Sequence, residues 1–374
     1  MSKLLVIAGE ASGDLHGGNV ILRLKKLRPD LDIVGTGGQL LASAGARLSY
    51  RVEDMAVIGF FEVLKLYSYL KGIFNEMVRK LDEERPDAVL LVDYPGFNLK
   101  FAAEAKKRGI KVIYYIAPQV WAWKKKRILK IKKYVDELIV LFPFEVEFFR
   151  KENMETHCFG HPLLDIVKPD HDREYTIRKW NLKSDRKIIS FLAGSRNNEI
   201  LKHLPLLLET AKILSSQRDD LQFVFPLAPT VDRDVVQQYL DKQEIDIRLV
   251  KDDTYNVVAV SDFALVASGT ATLETTILRT PLIIFYKSSI ITYFIGKYLL
   301  RIKAIGLPNI IAGDMLVPED PHFTSPKKMA LEIQHYLDNT DHYSQAKENL
   351  IKLREELGNA GAYQKTAEFI DSIL

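Results

Sequence analysis

Short apolar runs alternate along the chain with longer stretches in which apolar residues recur at helical spacing. The runs of the first half are rich in leucine and β-branched residues and contain few polar positions, as expected for strands covered on both faces. They lie at 3–8, 32–35, 88–92, 111–116 and 137–141. Helices are predicted between them at 17–28, 60–83, 98–108, 125–133 and 144–151. This order predicts a doubly wound parallel sheet.

A polar, proline-containing segment at 159–172 interrupts this order, and a second series of strands and helices follows. Its strands are predicted at 187–192, 221–226, 246–250, 262–266 and 282–286, and its helices at 200–215, 231–241, 271–278 and 326–337. We therefore expect an α/β protein with two Rossmann-like domains, residues 1–164 and 165–345, facing each other across a cleft. A charged helical segment, 346–374, is expected to pack back on the first domain.

The composition of the 374 residues is that of an ordinary globular protein, with 47% hydrophobic and 27% charged residues. The net charge of +3 is too small to indicate nucleic-acid binding. The single cysteine, Cys158, excludes an intramolecular disulfide and a multi-cysteine zinc site, and it suits a reducing cytoplasm. No uncharged run has the length of a membrane span, so the chain is expected to be soluble or to lie on a membrane surface.

Two loops of small residues each follow an apolar run and open an amphipathic stretch. The first contains Ser12, Gly13 and Asp14, and the second contains Ser268, Gly269 and Thr270. A strand, a small-residue loop and a helix N-terminus present free backbone N–H groups to an anion. We expect both loops to contact a ligand that carries phosphate, although a plain tight turn is the alternative for the first loop. That loop does not match the G-x-G-x-x-G pattern of dinucleotide-binding proteins.

A third loop, formed by Gly194, Ser195 and Arg196, opens the second domain and should lie beside the loop at 268–270. Gly194 lets the backbone approach a ligand, and Arg196 adds a fixed charge with forked donors. The alternative is a surface turn with a solvated arginine. Glu274 has two interpretations that the residues leave open: a capping-box partner in its helix, or a ligand of a ribose diol.

Asp93 directly follows the buried run at 88–92. A carboxylate at the carboxyl end of a central parallel strand faces the ligand crevice and is partly desolvated there, which suits a general base. The alternative is a helix N-cap or turn aspartate, and without further evidence that alternative would be favoured.

Two stretches, 60–71 and 290–303, combine apolar bulk with aromatic and cationic residues. Contact with lipid or acyl chains explains both, and two core helices are the alternative. The residues expected to make the contact are Phe60, Phe61, Leu64, Tyr67, Tyr293, Phe294, Lys297, Tyr298 and Arg301. The basic, tryptophan-containing segment 119–127 suits anionic lipid headgroups or substrate phosphate better than nucleic acid.

Three Asp-x-Asp pairs, at 30/32, 170/172 and 232/234, lie in loops or polar stretches. They are interpreted as solvated turns, so no metal site is predicted from them.

Several of these segments together resemble one enzyme family. They are AGEASGDLHGG (8–18), VIGFFEVL (57–64), VDYPGFN (92–98), IAPQVWAWKKKR (116–127), LFPFE (141–145), GHPLLD (160–165), AGSRNNEI (193–200), ASGTATLE (267–274) and GLPNIIAG (306–313). The combination is highly specific, and the chain resembles the lipid-A-disaccharide synthases nearly end to end. These are inverting, two-domain GT-B glycosyltransferases.

The resemblance implies transfer of 2,3-diacylglucosamine from its UDP donor to the 6-hydroxyl of 2,3-diacylglucosamine 1-phosphate. It also implies that neither a metal nor a cofactor is needed. It assigns the general base to Asp93, the glycine-rich-loop serine to Ser12, and donor-site residues to Arg196, Glu274 and Asn309. The protein would lie on the cytoplasmic face of the inner membrane of a Gram-negative bacterium, bind no nucleic acid and be a monomer or homodimer.

Two other functions fit parts of the pattern. A soluble UDP-sugar enzyme of the same fold, such as a 2-epimerase, would have polar stretches at 60–71 and 290–303, where this chain is apolar. A non-catalytic nucleotide-binding protein on the membrane surface would share the loops but transfer no sugar.

Overall fold

The fold was obtained as a computed structural model that describes residues 2–55, 63–118, 120, 127–243, 245–286, 304–320 and 325–374. The side chains at positions 53, 55, 63–67 and 320 are outside the description. The chain divides into two compact units. Unit 1 comprises Met1–Asp165 with Leu357–Leu374, and unit 2 comprises Ile166–Glu356.

Unit 1 contains a seven-stranded parallel sheet with the order β3-β2-β1-β4-β5-β6-β7. Its strands are β1 Lys3–Ala8, β2 Asp32–Gly37, β3 Arg47–Arg51, β4 Ala88–Val92, β5 Lys111–Tyr115, β6 Glu137–Val140 and β7 His157–Cys158. The chain builds the sheet outward from β1 in one direction and from β4 in the other. The switch point of this sheet therefore lies between β1 and β4.

Helices cover both faces of this sheet. They are α1 Ala11–Leu27, α2 Gln39–Ser43, α3 Val52–Met55, α4 Val63–Glu84, α5 Pro95–Lys107, α6 Arg127–Tyr134, α7 Pro143–Lys151 and α8 Leu163–Ile166, which crosses the unit boundary. Leu5 and Ile7 belong to a core cluster with side chains of α4, α5 and α6. On the other face, Gly17 of α1 approaches Val92 so closely that a Cβ there would lie 3.3 Å from its Cγ2. Burial on both faces explains why the central strands β1 and β4 carry no polar side chain apart from Lys3.

Unit 2 has the same winding in a six-stranded parallel sheet of order β10-β9-β8-β11-β12-β13. Its strands are β8 Lys187–Leu192, β9 Leu221–Leu227, β10 Ile247–Lys251, β11 Phe263–Ala267, β12 Leu282–Phe285 and β13 Glu319–Asp320. Its helices are α9 Arg173–Lys179, α10 Asn197–Gln217, α11 Arg233–Leu240, α12 Thr254–Val260, α13 Thr270–Ile277, α14 Leu307–Ala312, α15 Pro326–Asp338 and α16 Thr340–Glu356. The switch point lies between β8 and β11. The predicted fold class, two doubly wound parallel-sheet α/β domains, is confirmed.

The C-terminal segment forms two helices rather than one continuous stretch. Helix α16 ends at Glu356, and α17 spans Ala362–Ile373. Gly358 and Gly361 between them have φ angles of +86° and +100°, a region that favours glycine and ends regular helix. The carboxylate of Asp165 accepts hydrogen bonds from the N–H groups of Gly361 and Tyr363, which attaches the start of α17 to unit 1. Of the predicted segment 346–374, residues up to Glu356 belong to unit 2.

Candidate active site

The carboxyl ends of β1 and β4 place two acidic residues at the switch point of the first sheet. Ala8 is paired with Val92 in the parallel ladder. Asp93 directly follows β4, and Glu10 is the N-cap residue of α1. Ligands of open α/β sheets bind outside the carboxyl ends of the strands at such a point. Asp93 therefore lies at the edge of the sheet where proteins of this fold class bind their ligands.

The environment of Asp93 raises the pKa of its carboxyl group to about 6. Burial is the largest cause, the negative charge of Glu10 adds to it, and a hydrogen bond from the backbone N–H of Tyr94 opposes both. A carboxyl group of this pKa is ionised at neutral pH and is a stronger base than an ordinary aspartate. This combination suits a general base that takes a proton from an alcohol.

The glycine-rich loop after β1 is shaped by packing against its neighbours. A Cβ on Gly9 would lie only 2.4 Å from Cδ1 of Tyr94, so the loop contacts the turn that carries Asp93. Helix α1 begins at Ala11, which places Ser12 and Gly13 in its first turn. Ser12 is exposed to solvent, whereas Gly13 is buried against Ala8. Of the three predicted residues of this loop, Ser12 is exposed, whereas Gly13 and Asp14 are buried.

Asp14 has a different environment from the one expected of a ligand-binding residue. Its carboxylate is buried and accepts hydrogen bonds from the backbone N–H groups of Gly38, Leu40 and Leu41, at 2.7, 3.0 and 3.0 Å. These are the N–H groups at the start of α2, which have no partner within the helix. Asp14 thus anchors α2 to α1, and its oxygens are already occupied.

The switch point of the second sheet brings together the loops after β8 and β11. Gly194 has a φ angle of +120°, a conformation that other residues rarely adopt. Arg196 is the N-cap residue of α10, and its side chain is exposed. Its Nη1 lies 3.2 Å from Oε1 of Glu199, and the Ser195 N–H donates to Oε2 of the same carboxylate at 3.4 Å. In this structure the Glu199 carboxylate therefore pairs with the Ser195 N–H group and with one guanidinium nitrogen of Arg196.

The neighbouring loop at 268–270 is exposed to solvent at Gly269 and Thr270. The Ser268 hydroxyl donates to the carbonyl of Ile305 at 2.8 Å and so holds the loop rather than a ligand. Gly269 and Thr270 are exposed at the N-terminus of α13, and a Cβ on Gly269 would meet nothing within 4 Å. The first N–H groups of α13 and the positive end of its dipole face this space. Loops of this kind on two adjacent strands form a candidate diphosphate site.

Glu274 and Asn309 make contacts within unit 2 that bear on their predicted roles. Helix α13 has no side-chain N-cap hydrogen bond, so the capping-box interpretation of Glu274 does not apply. Its Oε1 instead accepts a hydrogen bond from the Tyr255 hydroxyl at 3.1 Å, and burial raises the pKa of its carboxyl group. Asn309 is buried, and its amide exchanges two hydrogen bonds with the backbone of Val317, at 2.8 and 2.9 Å.

Comparison with known proteins decides the family. The model of the lipid-A-disaccharide synthetase family matches residues 4–373. The lipid-A-disaccharide synthase of Syntrophus aciditrophicus is 40% identical over 369 residues, which cover 98% of this chain and 96% of that protein. The synthase of Geobacter metallireducens is 36% identical, with 100% and 97% covered.

The chain belongs to the lipid-A-disaccharide synthetase family. It is accordingly a glycosyltransferase of lipid A biosynthesis, as the sequence resemblance implied.

Comparison with solved structures shows the fold that this synthetase family member shares with other proteins. The S. aureus MnaA structure with UDP superposes with a TM-score of 0.68 at 15% identity, covering 100% of this chain and 97% of that one. The Acinetobacter baumannii MurG structure gives a TM-score of 0.59 at 13% identity and covers 100% of both chains. CalG4, the calicheamicin glycosyltransferase, gives a TM-score of 0.62 at 14% identity and covers 100% of this chain and 98% of that one, in agreement with the predicted GT-B fold.

Most of the predicted acyl-chain or membrane contacts of the synthetase lie outside the described residues. This applies to Phe60, Phe61, Tyr293, Phe294, Lys297, Tyr298 and Arg301. Leu64 and Tyr67 are in α4, but their side chains are not described. Among the helices that the structure describes, none is long and apolar enough to cross a membrane. The same part of the chain contains no cluster of three His, Cys, Asp or Glu side chains that could hold a metal ion.

Sequence reasoning missed several residues that shape the site. Glu199 pairs with Arg196, and Asn98 and Tyr114 donate hydrogen bonds to the backbone of Asp93. Asn98 and Glu199 lie inside the motifs VDYPGFN and AGSRNNEI, which could have singled them out. Tyr114 had no such signal, because it lies in a buried strand, KVIYY, whose pattern indicates core packing and no ligand contact.

Proposed function

We propose that the chain transfers 2,3-diacylglucosamine from UDP to the 6-hydroxyl of 2,3-diacylglucosamine 1-phosphate, with inversion at the anomeric carbon. The observation that carries the proposal is Asp93, a carboxylate of raised pKa at the switch point of unit 1, in a chain that matches the synthetase family from end to end. Unit 1 would bind the acceptor and unit 2 the UDP-sugar.

In the proposed step, the Asp93 carboxylate accepts the proton of the acceptor 6-hydroxyl. The oxygen then attacks the anomeric carbon of the donor from the side opposite to UDP. The bond between that carbon and the β-phosphate oxygen breaks, and its electron pair leaves with UDP. A single displacement of this kind produces the β-1,6 linkage. A positioned general base contributes on the order of 10²–10⁴-fold to such a reaction.

The leaving diphosphate would be held by the two loops at the switch point of unit 2. The N–H groups of Gly194, Ser195 and the 268–270 loop would donate to phosphate oxygens, and Arg196 would add a permanent positive charge. Electrostatic stabilisation that is fixed in place before the reaction is commonly the largest contribution to catalysis. We propose that these groups neutralise the diphosphate without a metal ion.

The remaining predicted residues receive more specific proposals. Glu274 would accept hydrogen bonds from the ribose hydroxyls, and Ser12 would contact the acceptor. Asn309 would serve the donor site indirectly, because its amide is used in holding the Val317 backbone. Gly13 would allow the close packing of the loop, and Asp14 would fix α2 beside it.

The acylated substrates place the protein at the inner membrane surface in this proposal. Helix α6 supports it, because Leu129 is 70% exposed there and Lys130 and Lys133 are exposed beside it. Apolar and cationic side chains that share one exposed surface are typical of proteins that bind anionic membranes. The segments at 60–71 and 290–303 are proposed to take up the acyl chains.

The decisive experiment incubates the purified protein with both acylated sugars in EDTA and follows UDP release together with the mass of the product. Equal formation of UDP and of the disaccharide 1-phosphate is expected. UDP release without disaccharide would contradict the proposed acceptor, and a requirement for added Mg²⁺ would contradict the metal-free diphosphate site. Epimerisation of UDP-N-acetylglucosamine in a parallel reaction would favour the 2-epimerase alternative.

A further inference from the structure

Asp93 and Tyr94 adopt an uncommon backbone conformation. Both have a φ angle of +47°, in the left-handed region that residues other than glycine rarely occupy. The Asp93 N–H still donates to the Tyr115 carbonyl at 2.9 Å, so the residue continues the ladder between β4 and β5. The chain turns sharply only after that bond. A strained conformation persists where surrounding contacts hold it, and such sites cluster at functional positions.

Two buried donors converge on the carbonyl oxygen of Asp93. The Tyr114 hydroxyl lies 2.6 Å from it and the Nδ2 atom of Asn98 lies 2.7 Å from it. Asn98 also donates to the carbonyl of Val92 at 3.1 Å and reaches that of Ile7 at 3.5 Å. Both donor side chains are fully buried. The two hydrogens of its amide are thus directed to the carbonyls of Val92 and Asp93, the last residue of β4 and the first residue after it.

We infer that Tyr114 and Asn98 are positioning residues, which fix the peptide plane after Asp93 and thereby the direction of its carboxylate. This inference rests on the proposed role of Asp93 as the general base. Relaxing Asp93 to an ordinary negative φ would rotate its carbonyl away from both donors. The two bonds would be lost together and leave buried polar groups without partners, which is unfavourable. The left-handed turn, and the side chain that it directs, are therefore held as a unit.

The other interpretation is that these bonds only stabilise unit 1. The two interpretations differ in what happens when one bond is removed without changing the packing. Tyr114→Phe removes the hydroxyl donor to the Asp93 carbonyl. A matched control exists in unit 2, where the Tyr343 hydroxyl donates to the carbonyl of Asp262 at 3.0 Å. Tyr343→Phe removes the same kind of bond from a tyrosine that has no part in the proposed reaction.

The experiment measures kcat, the KM for the UDP-sugar and the melting temperature of both variants in the full-length protein, over a range of pH. Both are expected to melt at similarly reduced temperatures. Only Tyr114→Phe should lower kcat, by about tenfold, which corresponds to about 1.4 kcal/mol in activation free energy. Its KM should stay within about twofold. The acid limb of the pH profile of kcat for Tyr114→Phe should move to lower pH, since the Asp93 carboxylate, once released from its fixed position, becomes more solvated and more acidic.

A Tyr114→Phe variant that keeps the kcat and the acid limb of the Tyr343→Phe control would overturn the positioning role. Asp93→Asn, assayed beside it, separates this result from a failure of the proposed function. If Asp93→Asn loses transfer while the two tyrosine variants behave alike, only the positioning role is wrong. If Asp93→Asn retains full transfer, Asp93 is not the base, and the positioning inference fails with it.

Discussion

Replacing Asp93 by asparagine is expected to stabilise unit 1 at neutral pH while it removes the proposed base. Burial, with a further contribution from Glu10, raises the pKa of Asp93 from 3.8 to about 6. At about 1.36 kcal/mol per pKa unit, keeping this carboxylate ionised costs the folded state about 3 kcal/mol. Asparagine has nearly the same shape and carries no charge, so it avoids this cost.

The sign of the pH dependence follows from the raised pKa. Below about pH 3.8 the carboxyl group is protonated in both the folded and the unfolded chain, so it has no effect on stability. As the pH rises toward about 6, the unfolded chain loses its proton before the folded chain does, and the stability of the wild type falls. The penalty reaches its full size above about pH 6. The advantage of Asp93→Asn should therefore be greatest at pH 8 and small near pH 4.

Thermal unfolding of wild type and variant at pH 8, 6 and 4 tests this reasoning. For a unit of this size, 1 kcal/mol corresponds to roughly 2–4 °C, so an increase of several degrees is expected at pH 8. Asp30→Asn, at an exposed position in unit 1, serves as the control and should show no such trend. A variant that melts at or below the wild-type temperature at pH 8, or whose advantage is independent of pH, would refute the proposed burial of charge.

Three further predictions concern single residues. Arg196→Ala should lower kcat/KM by about 10²–10³-fold, as measured by UDP release, because the departing diphosphate loses the fixed positive charge beside it. The control Arg233→Ala, on the surface of the same unit, should leave kcat/KM unchanged. Asp14→Ala should reduce the free energy of unfolding by about 3 kcal/mol in urea titrations, because three N–H groups of α2 lose their acceptor, while the KM for the donor stays unchanged. Glu10→Gln should move the acid limb of the pH profile of kcat/KM from about 6 to lower pH, because the carboxyl group of Asp93 loses a neighbouring negative charge. The limb should stay above the 3.8 of an ordinary aspartate, because burial is the larger cause of the raised pKa. An unchanged limb would mean that Asp93 does not control it.

The central strands could be predicted from the sequence because they are buried on both faces. Strand β4, for example, is apolar throughout and fully buried, so its position needed only the hydrophobic pattern. The edge strand β3 was missed, because its residues are half or fully exposed and its sequence, RLSYR, has no apolar run. A short edge strand forms because it pairs with the neighbouring strand of the sheet, and the local hydrophobic pattern does not indicate that pairing.

The start of α1 shows how tertiary packing overrides local preference. The sequence predicts a loop of small residues and then a helix from residue 17, yet α1 begins at Ala11 and includes three glycines, a residue type that disfavours helix. A Cβ on Gly18 would lie 2.7 Å from the Cβ of Leu40, so α1 and α2 pack too closely there for any larger residue. The glycines that suggested a ligand loop are partly explained by this helix contact.

The candidate site was only partly predictable for a similar reason. The place of Asp93 at the end of a central strand follows from the order of strands, which the hydrophobic pattern indicates. The bond from Tyr114 to the Asp93 carbonyl and the bonds that hold Asp14 beside α2 join residues far apart in the chain. Gly38, for instance, is 24 residues from Asp14. A local sequence pattern does not indicate such distant partners. Only the three-dimensional structure distinguishes Asp93, a candidate base, from Asp14, which holds α2 in place.

The most direct test of the account compares UDP binding and sugar transfer in the Asp93→Asn variant. Calorimetry should give a dissociation constant for UDP within about twofold of wild type, because the proposed diphosphate site is formed by unit 2. Transfer between the two acylated sugars should fall by about 10²–10⁴-fold, the contribution expected of a general base. Transfer that remains within tenfold of wild type, with UDP bound as before, would contradict the claim that Asp93 activates the acceptor hydroxyl.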